Sequence, residues 1–334
     1  MYKGLNKETI KRVNTKLIFA VLISLGFSTQ IFADKWDMPT PYGDGNHPTK
    51  VAMEFAKEVS DKAGDKLSIT VHSGESLIKH PEIKRAVKSR QVQIGEVFIG
   101  RLGNDDPVFK LDNIPFVATD FDAAEKLYKA SKPALEEALK KDGLTLLYTV
   151  PWPAQDLYSK KPVSSLSDLK GLKMRAYSPT TSRLADLMGG TPVNVPYSDI
   201  AQAFTTSVID AMITSPSTGV NNQSWDYVSD FTTVSAWIPK NMVFVNTKVF
   251  DKLDDTTKQI VRDAAANAEK SGWALGRKLA VEHTDILRDK GMKVVAPSET
   301  LQSELKAIGK IMLGEWLAES GDAGKKIIDT FNSN

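Results

Sequence analysis

Apolar and polar positions alternate along this chain in two rhythms, one of about 3.6 residues and one of two residues. Residues 49–63 place an apolar side chain at every third or fourth position, which predicts an amphipathic helix, whereas Leu67–Val71 alternates as a half-buried strand does. Further strands are predicted at Lys35–Met38, Val92–Ile99, Leu144–Val150, Leu172–Ala176, Thr191–Val195 and Ile209–Ile213. Further helices are predicted at Pro81–Ser89, Phe121–Lys141 with an interruption near Pro133, Thr180–Met188 and Tyr197–Thr206. Strands that alternate with helices predict an α/β fold with largely parallel sheets.

A much longer periodic segment begins near the C-terminal third of the chain. Asp254 can cap a helix that runs to about Asp289, which exceeds the usual length of a globular helix. Such a helix could span more than one lobe. The chain of 334 residues is long enough for about two domains, each with its own core.

The N-terminal 33 residues have the pattern of a secretory signal. Five basic residues and one acid precede or flank the apolar run Leu17–Phe27, and the small residue Ala33 precedes Asp34. A membrane anchor is the alternative, but it normally requires about 20 apolar residues. We therefore expect export to the periplasm with cleavage before Asp34, and the remaining chain then carries a formal charge of −2.

Composition removes several classes of protein. The chain has no cysteine, which excludes disulfide scaffolds, zinc fingers and cysteine nucleophiles. Its formal charge of +2 argues against a dedicated nucleic-acid binder. Gly43-Asp-Gly45 is a poor dinucleotide-binding fingerprint, and no hydrolase or phosphate-loop motif is present. His80 with Glu82, and Asp105 with Asp106, could touch a metal, but turn chemistry is the better explanation of both pairs.

Arg175 is the most informative basic residue. It lies near the C-terminal end of a predicted strand, where open α/β sheets bind ligands, and just before a helix that Ser178 can cap. A guanidinium there can hold a carboxylate or sulfonate through two parallel hydrogen bonds. The pattern alone leaves a surface ion pair as an equal alternative. Trp152 and Trp237 fall in predicted loops, where they could line a cleft or pack against the next element.

Three segments carry a family resemblance. Lys170-Gly-Leu-Lys-Met-Arg175, then Leu187-Met-Gly-Gly-Thr-Pro-Val-Asn-Val-Pro-Tyr-Ser-Asp199, then Val208-Ile-Asp210 resemble the DctP-type solute-binding proteins of TRAP transporters in order and spacing. The resemblance extends over nearly all of the chain after residue 33. It implies a two-lobed periplasmic binding protein with a hinge and a long helix spanning both lobes. We expect residues 34–152 with 241–280 to form lobe I, and residues 153–240 with 281–334 to form lobe II.

The function that the resemblance implies is binding without catalysis. Such a protein captures one small organic anion and delivers it to a small and a large membrane subunit, and needs no cofactor or metal. We expect a monomer that binds no nucleic acid. A ligand-binding partner of a periplasmic sensor remains an alternative, as does a secreted hydrolase or lyase.

The resemblance also implies a set of ligand contacts. The family arginine that binds the ligand carboxylate corresponds to Arg175. The other candidates are Tyr197, Ser178, Thr214, Ser215, Gln155, Trp152, Trp237, Asn241, His80, Phe98 and Thr40. Sialic-acid binders of the family have a second arginine where Gln155 stands, which disfavours a sialic-acid-like ligand. Hydroxy or keto acids, sugar acids, aromatic acids and small sulfonates remain possible.

Overall fold

The computed structural model describes residues 34–333, so the predicted signal segment lies outside the described residues. The strands are β1 (Asp34–Pro39), β2 (Leu67–His72), β3 (Ile94–Phe98), β4 (Leu144–Pro151), β5 (Asp156–Ser159), β6 (Lys173–Ala176), β7 (Thr191–Asn194), β8 (Ala211–Thr214), β9 (Asp230–Thr232), β10 (Lys240–Asn246) and β11 (Lys293–Val295). The α-helices are α1 (His47–Ala63), α2 (Ile83–Lys88), α3 (Phe121–Lys141), α4 (Pro179–Leu187), α5 (Ile200–Thr205), α6 (Pro216–Asn221), α7 (Thr247–Asp251), α8 (Asp255–Asp289) and α9 (Glu299–Ser333). Short 3-10 turns connect several of these elements.

The first lobe is built on two small sheets. β1 runs parallel to β2, with Trp36 opposite Ile69, and β10 lies antiparallel between β3 and β4. The predicted apolar stripe of α1 is buried, and it packs against β2 and α8. β10 was not predicted from the sequence, although all seven of its residues are buried. A run of buried residues without alternation gives no clear strand signal.

The second lobe is built on one sheet of six strands in the order β11-β9-β5-β8-β6-β7. β6 is parallel to both β7 and β8, as the βαβ pattern predicts. β11 is parallel to β9, and neither of these two strands was predicted. β5 is antiparallel to both of its neighbours. The prediction of a two-lobed α/β fold is confirmed. The prediction of largely parallel sheets is wrong for residues 34–333, because β5 and β10 are each antiparallel to both of their neighbours.

Two chain segments join the sheets of the lobes. One follows β4 and leads into β5, and the other follows β9 and leads into β10. They run side by side, because Gln155 N–H donates to the Trp237 carbonyl (2.8 Å) and Trp152 N–H donates to the Pro239 carbonyl (2.8 Å). The Gln155 carbonyl in turn accepts from Ala236 N–H (2.9 Å). The joint is therefore a short hydrogen-bonded ribbon of two strands.

The long helix α8 contacts both lobes, as predicted. It begins after Asp254, whose side chain accepts from the Thr257 N–H (3.2 Å), and it packs on α1 and β4 in one lobe and on α6 and β11 in the other. α9 bends at Gly321, where φ is 58°. It lies against α3 and also against α4. The exact lobe boundaries stay a prediction.

The predicted interruption of α3 near Pro133 is wrong. The helix continues from Phe121 to Lys141, although a proline inside a helix costs about 3 kcal/mol. Pro133 faces solvent, while the opposite face buries residues on both sides of it, among them Tyr128 and Leu135. Packing of that face stabilises the helix enough to offset the missing hydrogen bond.

Within residues 34–333, no helix is both long enough and apolar enough to cross a membrane.

Candidate functional site

A cavity of about 730 Å³ lies between the two lobes, and both contribute to its wall. From the first lobe an aromatic cluster lines it, formed by Tyr42, Phe98 and Trp152, with Tyr177 and Tyr197 packed against the cluster from the second lobe. The Tyr42 ring meets both Trp152 and Tyr197 edge to face, with centroids 5.0 Å apart in each pair. Aromatic rings therefore form one part of the cavity wall, and polar residues such as Arg175, Thr214 and Asn221 also line it.

Arg175 is held in that cavity by its own strand and its neighbours. It sits in β6, its side chain is buried, and its Nε–H donates to the Val195 carbonyl (3.0 Å). The guanidinium carbon lies 4.8 Å from the centroid of the Tyr177 ring. Nη1 and Nη2 have no hydrogen-bond partner among residues 34–333, and neither is sealed from solvent. These donors are therefore free to hold a bound anion.

The charge of Arg175 is not balanced by the described part of the chain. No carboxylate of residues 34–333 forms an ion pair with it, and the groups around it are tyrosines. Burial lowers the pKa of Arg175, and the nearby tyrosines partly offset that effect, but an arginine stays protonated at neutral pH. A buried cation without a counter-charge is costly, so the cavity strongly favours an anion over a neutral ligand.

Tyr177 and Gln155 fix the orientation of this arginine. The Tyr177 hydroxyl donates to Gln155 Oε1 (3.1 Å), and Gln155 Nε2 donates to the Pro153 carbonyl (2.8 Å). These bonds hold the Tyr177 ring beside the guanidinium. Sequence reasoning missed Tyr177, yet the signal was present, because residues two apart at a strand end share one face.

Trp152 is positioned by groups behind the cavity wall. Its indole Nε1–H donates to Asn241 Oδ1 (2.9 Å), and Asn241 Nδ2 donates to Glu96 Oε1 (3.0 Å). Glu96 is completely buried, and burial raises the pKa of its carboxyl to about 8. The carboxyl is therefore largely neutral at pH 7. In the series Trp152, Asn241, Glu96, each side chain donates a hydrogen bond to the next.

Asn46 joins the two lobes across the cavity. Its Oδ1 accepts from the Tyr197 hydroxyl (2.7 Å) and from Asn221 Nδ2 (2.7 Å). All three residues line the cavity. Because Asn46 precedes α1 in the first lobe while its two partners belong to the second, this contact exists only when the lobes are together.

The structure brings many of the predicted site residues to the cavity wall. Those that line it are Arg175, Tyr197, Thr214, Gln155, Trp152, His80 and Phe98. The residues that line it without having been predicted include Tyr42, Asn46, Tyr177, Asn221, Thr218 and Arg101. Most of these belong to loops or helix ends that only the meeting of the lobes brings together.

The other predicted site residues lie behind the wall. Ser178 caps α4 by accepting from Thr181 N–H (3.1 Å) and also accepts from Asn113 Nδ2 (3.1 Å), and Ser215 caps α6 in the same way. Thr40 and Asn241 are completely buried, and Trp237 is 1% exposed. These side chains can support the wall but do not form its surface. Their contribution to ligand binding stays a prediction.

The two residue pairs that could touch a metal, His80 with Glu82 and Asp105 with Asp106, have partners within the protein. His80 Nε2 accepts from the Phe98 N–H (3.2 Å), and Glu82 pairs with Arg85. Asp105 pairs with Lys84 (2.6 Å), and the Asp106 carboxylate accepts from Val108 N–H (3.1 Å). In the described range 34–333, no three His, Asp or Glu side chains are grouped as a metal site requires.

Comparison with known proteins places this cavity in context. Residues 42–318 match the family described as bacterial extracellular solute-binding protein, family 7, also called DctP. The chain is 44% identical to DctP7, a Bordetella pertussis extracytoplasmic solute receptor binding pyroglutamic acid, with a TM-score of 0.88 over 90% of this chain and all of that one. It is 37% identical to a marine metagenome TRAP solute-binding protein specific for pyroglutamate, with a TM-score of 0.88 over 91% of this chain and all of that one. Among curated relatives, the sialic acid-binding periplasmic protein SiaP of Vibrio cholerae is 23% identical over 62% of this chain and 67% of its own length.

Proposed function

Because the chain belongs to the DctP family of extracellular solute-binding proteins, in which TRAP receptors bind small organic acids, we propose that its own ligand is pyroglutamate. The proposal extends to delivery, in which the loaded protein releases pyroglutamate to the membrane subunits of a TRAP transporter. Two receptors of that ligand share 44% and 37% of their residues with this chain.

The observation that carries the proposal is the unpaired Arg175. One buried guanidinium with free Nη donors calls for one carboxylate, and pyroglutamate carries one. Arg101 also lines the cavity, but it is partly exposed, so its charge does not depend on a ligand as the charge of the buried Arg175 does. Arg175 is the one buried cation among the described residues that line the cavity, which favours a monoanion.

The remainder of the cavity suits a flat, uncharged ring. Tyr42, Phe98 and Trp152 offer apolar faces, and Thr214, Thr218 and Asn221 offer hydroxyl and amide groups. A lactam has an apolar ring edge, one N–H donor and one carbonyl acceptor, so it can use both kinds of surface. An ammonium group would lie in the same enclosure as Arg175, where two cations repel.

Titration calorimetry on protein that has been unfolded, dialysed and refolded tests the ligand. We expect L-pyroglutamate to bind with one site per chain and to bind more tightly than L-proline, L-glutamate, succinate or D-glucuronate. At a concentration 100 times its dissociation constant, the ligand stabilises the protein by about 2.7 kcal/mol, which a thermal melt detects. Failure to bind pyroglutamate, or tighter binding of another of these acids, overturns the proposal.

We propose further that the ligand leaves unchanged and that the working protein is an exported monomer. Mass spectrometry of ligand recovered after prolonged incubation should return pyroglutamate and no glutamate. The protein isolated from the periplasm should begin at Asp34, which its intact mass reports. A sedimentation coefficient of a dimer, or an intact mass that includes residues 1–33, would contradict these points.

A further inference from the structure

His80 presents a polar group from the first lobe whose protonation the structure fixes. Its Nε2 accepts a hydrogen bond from the Phe98 N–H (3.2 Å). Phe98 belongs to β3, which is an edge strand, so this N–H would otherwise have no partner in the sheet. A neutral imidazole that accepts at one nitrogen carries its proton on the other. Nδ1 of His80 is therefore the donor.

That donor is free, and its ring lines the cavity. Nδ1 has no hydrogen-bond partner among residues 34–333, it is not sealed from solvent, and His80 is part of the cavity wall. Burial lowers the pKa of His80 to about 3, and the positive charge of Arg101 adds to this effect. The ring therefore offers one uncharged N–H donor throughout the neutral pH range.

The surroundings of His80 make this donor distinctive. The Tyr42 ring meets the imidazole edge to face, with centroids 6.0 Å apart, and Phe98 and Trp152 form the aromatic part of the same wall. Glu75, the nearby acid, is already engaged, since its Oε1 accepts from the His80 N–H (3.0 Å) and its Oε2 pairs with Lys79 (3.5 Å). Arg175 belongs to the opposite lobe. The cavity thus holds the buried Arg175 on one lobe, and the uncharged His80 Nδ1–H donor is on the other lobe, beside the partly exposed Arg101.

We propose that His80 Nδ1–H donates to the uncharged carbonyl oxygen of the ligand and is a specificity-determining residue of this receptor. The inference rests on the proposed pyroglutamate function and assigns the group that recognises the lactam oxygen. Arg175 selects the carboxylate, and His80 selects against acids of the same shape that lack the carbonyl. A cyclic acid without that oxygen occupies the site but offers Nδ1–H no acceptor, which is unfavourable.

A matrix of two proteins and two ligands tests the assignment. Wild type and His80→Phe are titrated with L-pyroglutamate and with tetrahydrofuran-2-carboxylate, a ring acid without the carbonyl. We expect His80→Phe to weaken pyroglutamate binding about 10-fold and to change binding of the second acid less than about 3-fold. The second ligand is the control for structural damage, since loss of the Phe98 contact would weaken both acids equally.

Nuclear magnetic resonance of the protein labelled with ¹⁵N-histidine gives an independent readout. We expect the His80 resonances of the free protein to show a protonated Nδ1 and an unprotonated Nε2, and saturation with pyroglutamate to shift Nδ1. Equal losses for both ligands in the matrix, or an Nδ1 resonance that pyroglutamate leaves unchanged, overturns the role of His80. If wild type binds no pyroglutamate at all, the proposed ligand fails first, and this inference fails with it.

Discussion

Arg175 is a buried cation for which residues 34–333 supply no counter-charge, so a bound anion would supply the charge that it lacks. We expect Arg175→Ala to weaken ligand binding at least about 100-fold, because two charge-assisted hydrogen bonds are lost. Arg175→Lys should lose most of that affinity too, since an ammonium cannot form the paired contact that a guanidinium forms with a carboxylate.

Calorimetry measures both Arg175 variants, and Arg183→Ala is the matched control. Arg183 is exposed and pairs with Glu315 (2.6 Å) away from the cavity between the lobes. Its loss should leave affinity unchanged. Wild-type affinity in Arg175→Ala would remove the basis of the proposed function.

The buried carboxyl of Glu96 should make the stability of the protein depend on pH. The pKa of its carboxyl is about 8 in the folded protein, against an ordinary value of 4.5. Between these values the folded state holds a proton that the unfolded chain has lost, so this group lowers stability as the pH rises from 4.5 to 8. Glu96→Gln keeps an acceptor for Asn241 and removes the titration. We therefore expect its Tm to fall less than that of wild type from pH 6.5 to 8.5.

The Tm values are compared between pH 6.5 and 8.5 because other buried groups affect stability outside that range. Burial lowers the pKa of His47 to about 4 and that of His80 to about 3, and both would reduce stability only toward acid pH. Asp156, whose pKa burial raises to about 7, contributes to the same alkaline loss as Glu96 in both proteins. Parallel Tm curves for wild type and Glu96→Gln would show that Glu96 is already ionised in the folded state.

At the scale of elements, α9 packs so closely at Gly309 that a side chain has no room. A Cβ there would lie 2.5 Å from the Pro115 carbonyl oxygen and 3.1 Å from the Phe116 ring. Gly309→Ala should therefore destabilise the protein by about 1–3 kcal/mol, because the helix must move away from that loop. Denaturant titration measures the change.

Gly314 lies in the same helix and provides the control. A Cβ at that position meets nothing within 4 Å. Gly314→Ala should be neutral or stabilising by up to about 1 kcal/mol, since alanine favours the helix over glycine. If both substitutions changed the free energy of unfolding equally, close packing at Gly309 would not be the cause.

The sequence predicted the elements whose own pattern determines them. α1 and α8 show their apolar stripes and caps directly, and both were predicted to within about two residues. β5 was missed because its four residues carry too little pattern, and its pairing with β8 and β9 makes it a strand. The course of α3 past Pro133 was also decided by packing rather than by local propensity.

The candidate site also contains residues that the local sequence predicts and residues that only the packed structure brings together. Arg175 could be predicted because strand ends of α/β sheets have a defined chemistry and because the surrounding segment resembles a known family. Tyr42, Asn46 and Asn221 could not, since each comes from a separate loop or helix end and they meet only across the cavity. A single sequence without pairing information does not contain that proximity.

On the scale of the whole molecule, Asn46 connects the lobes over the cavity. Asn46→Ala removes the acceptor of two inter-lobe hydrogen bonds, so we expect pyroglutamate affinity to fall about 10-fold. Small-angle scattering should show a larger radius of gyration for the ligand-free variant than for ligand-free wild type.

Asn267→Ala is the control for this prediction. Asn267 Nδ2 donates to Glu58 (2.8 Å), a contact on the surface of the first lobe. It should change neither the affinity nor the radius of gyration. An Asn46→Ala protein with wild-type values for both would mean that the contact follows closure without stabilising it.

Gln155 takes part both in the ribbon that joins the lobes and in the support of the binding site. Its backbone bonds to Trp237 and Ala236 in the joint, while its side chain bonds to Tyr177, which supports the arginine that we propose holds the ligand. Any rotation at the joint therefore pulls on the support of that arginine, and any displacement of the arginine is transmitted to the joint. A membrane partner that responded only to the angle between the lobes would in this way distinguish the ligand-bound protein from the free protein without contacting the ligand.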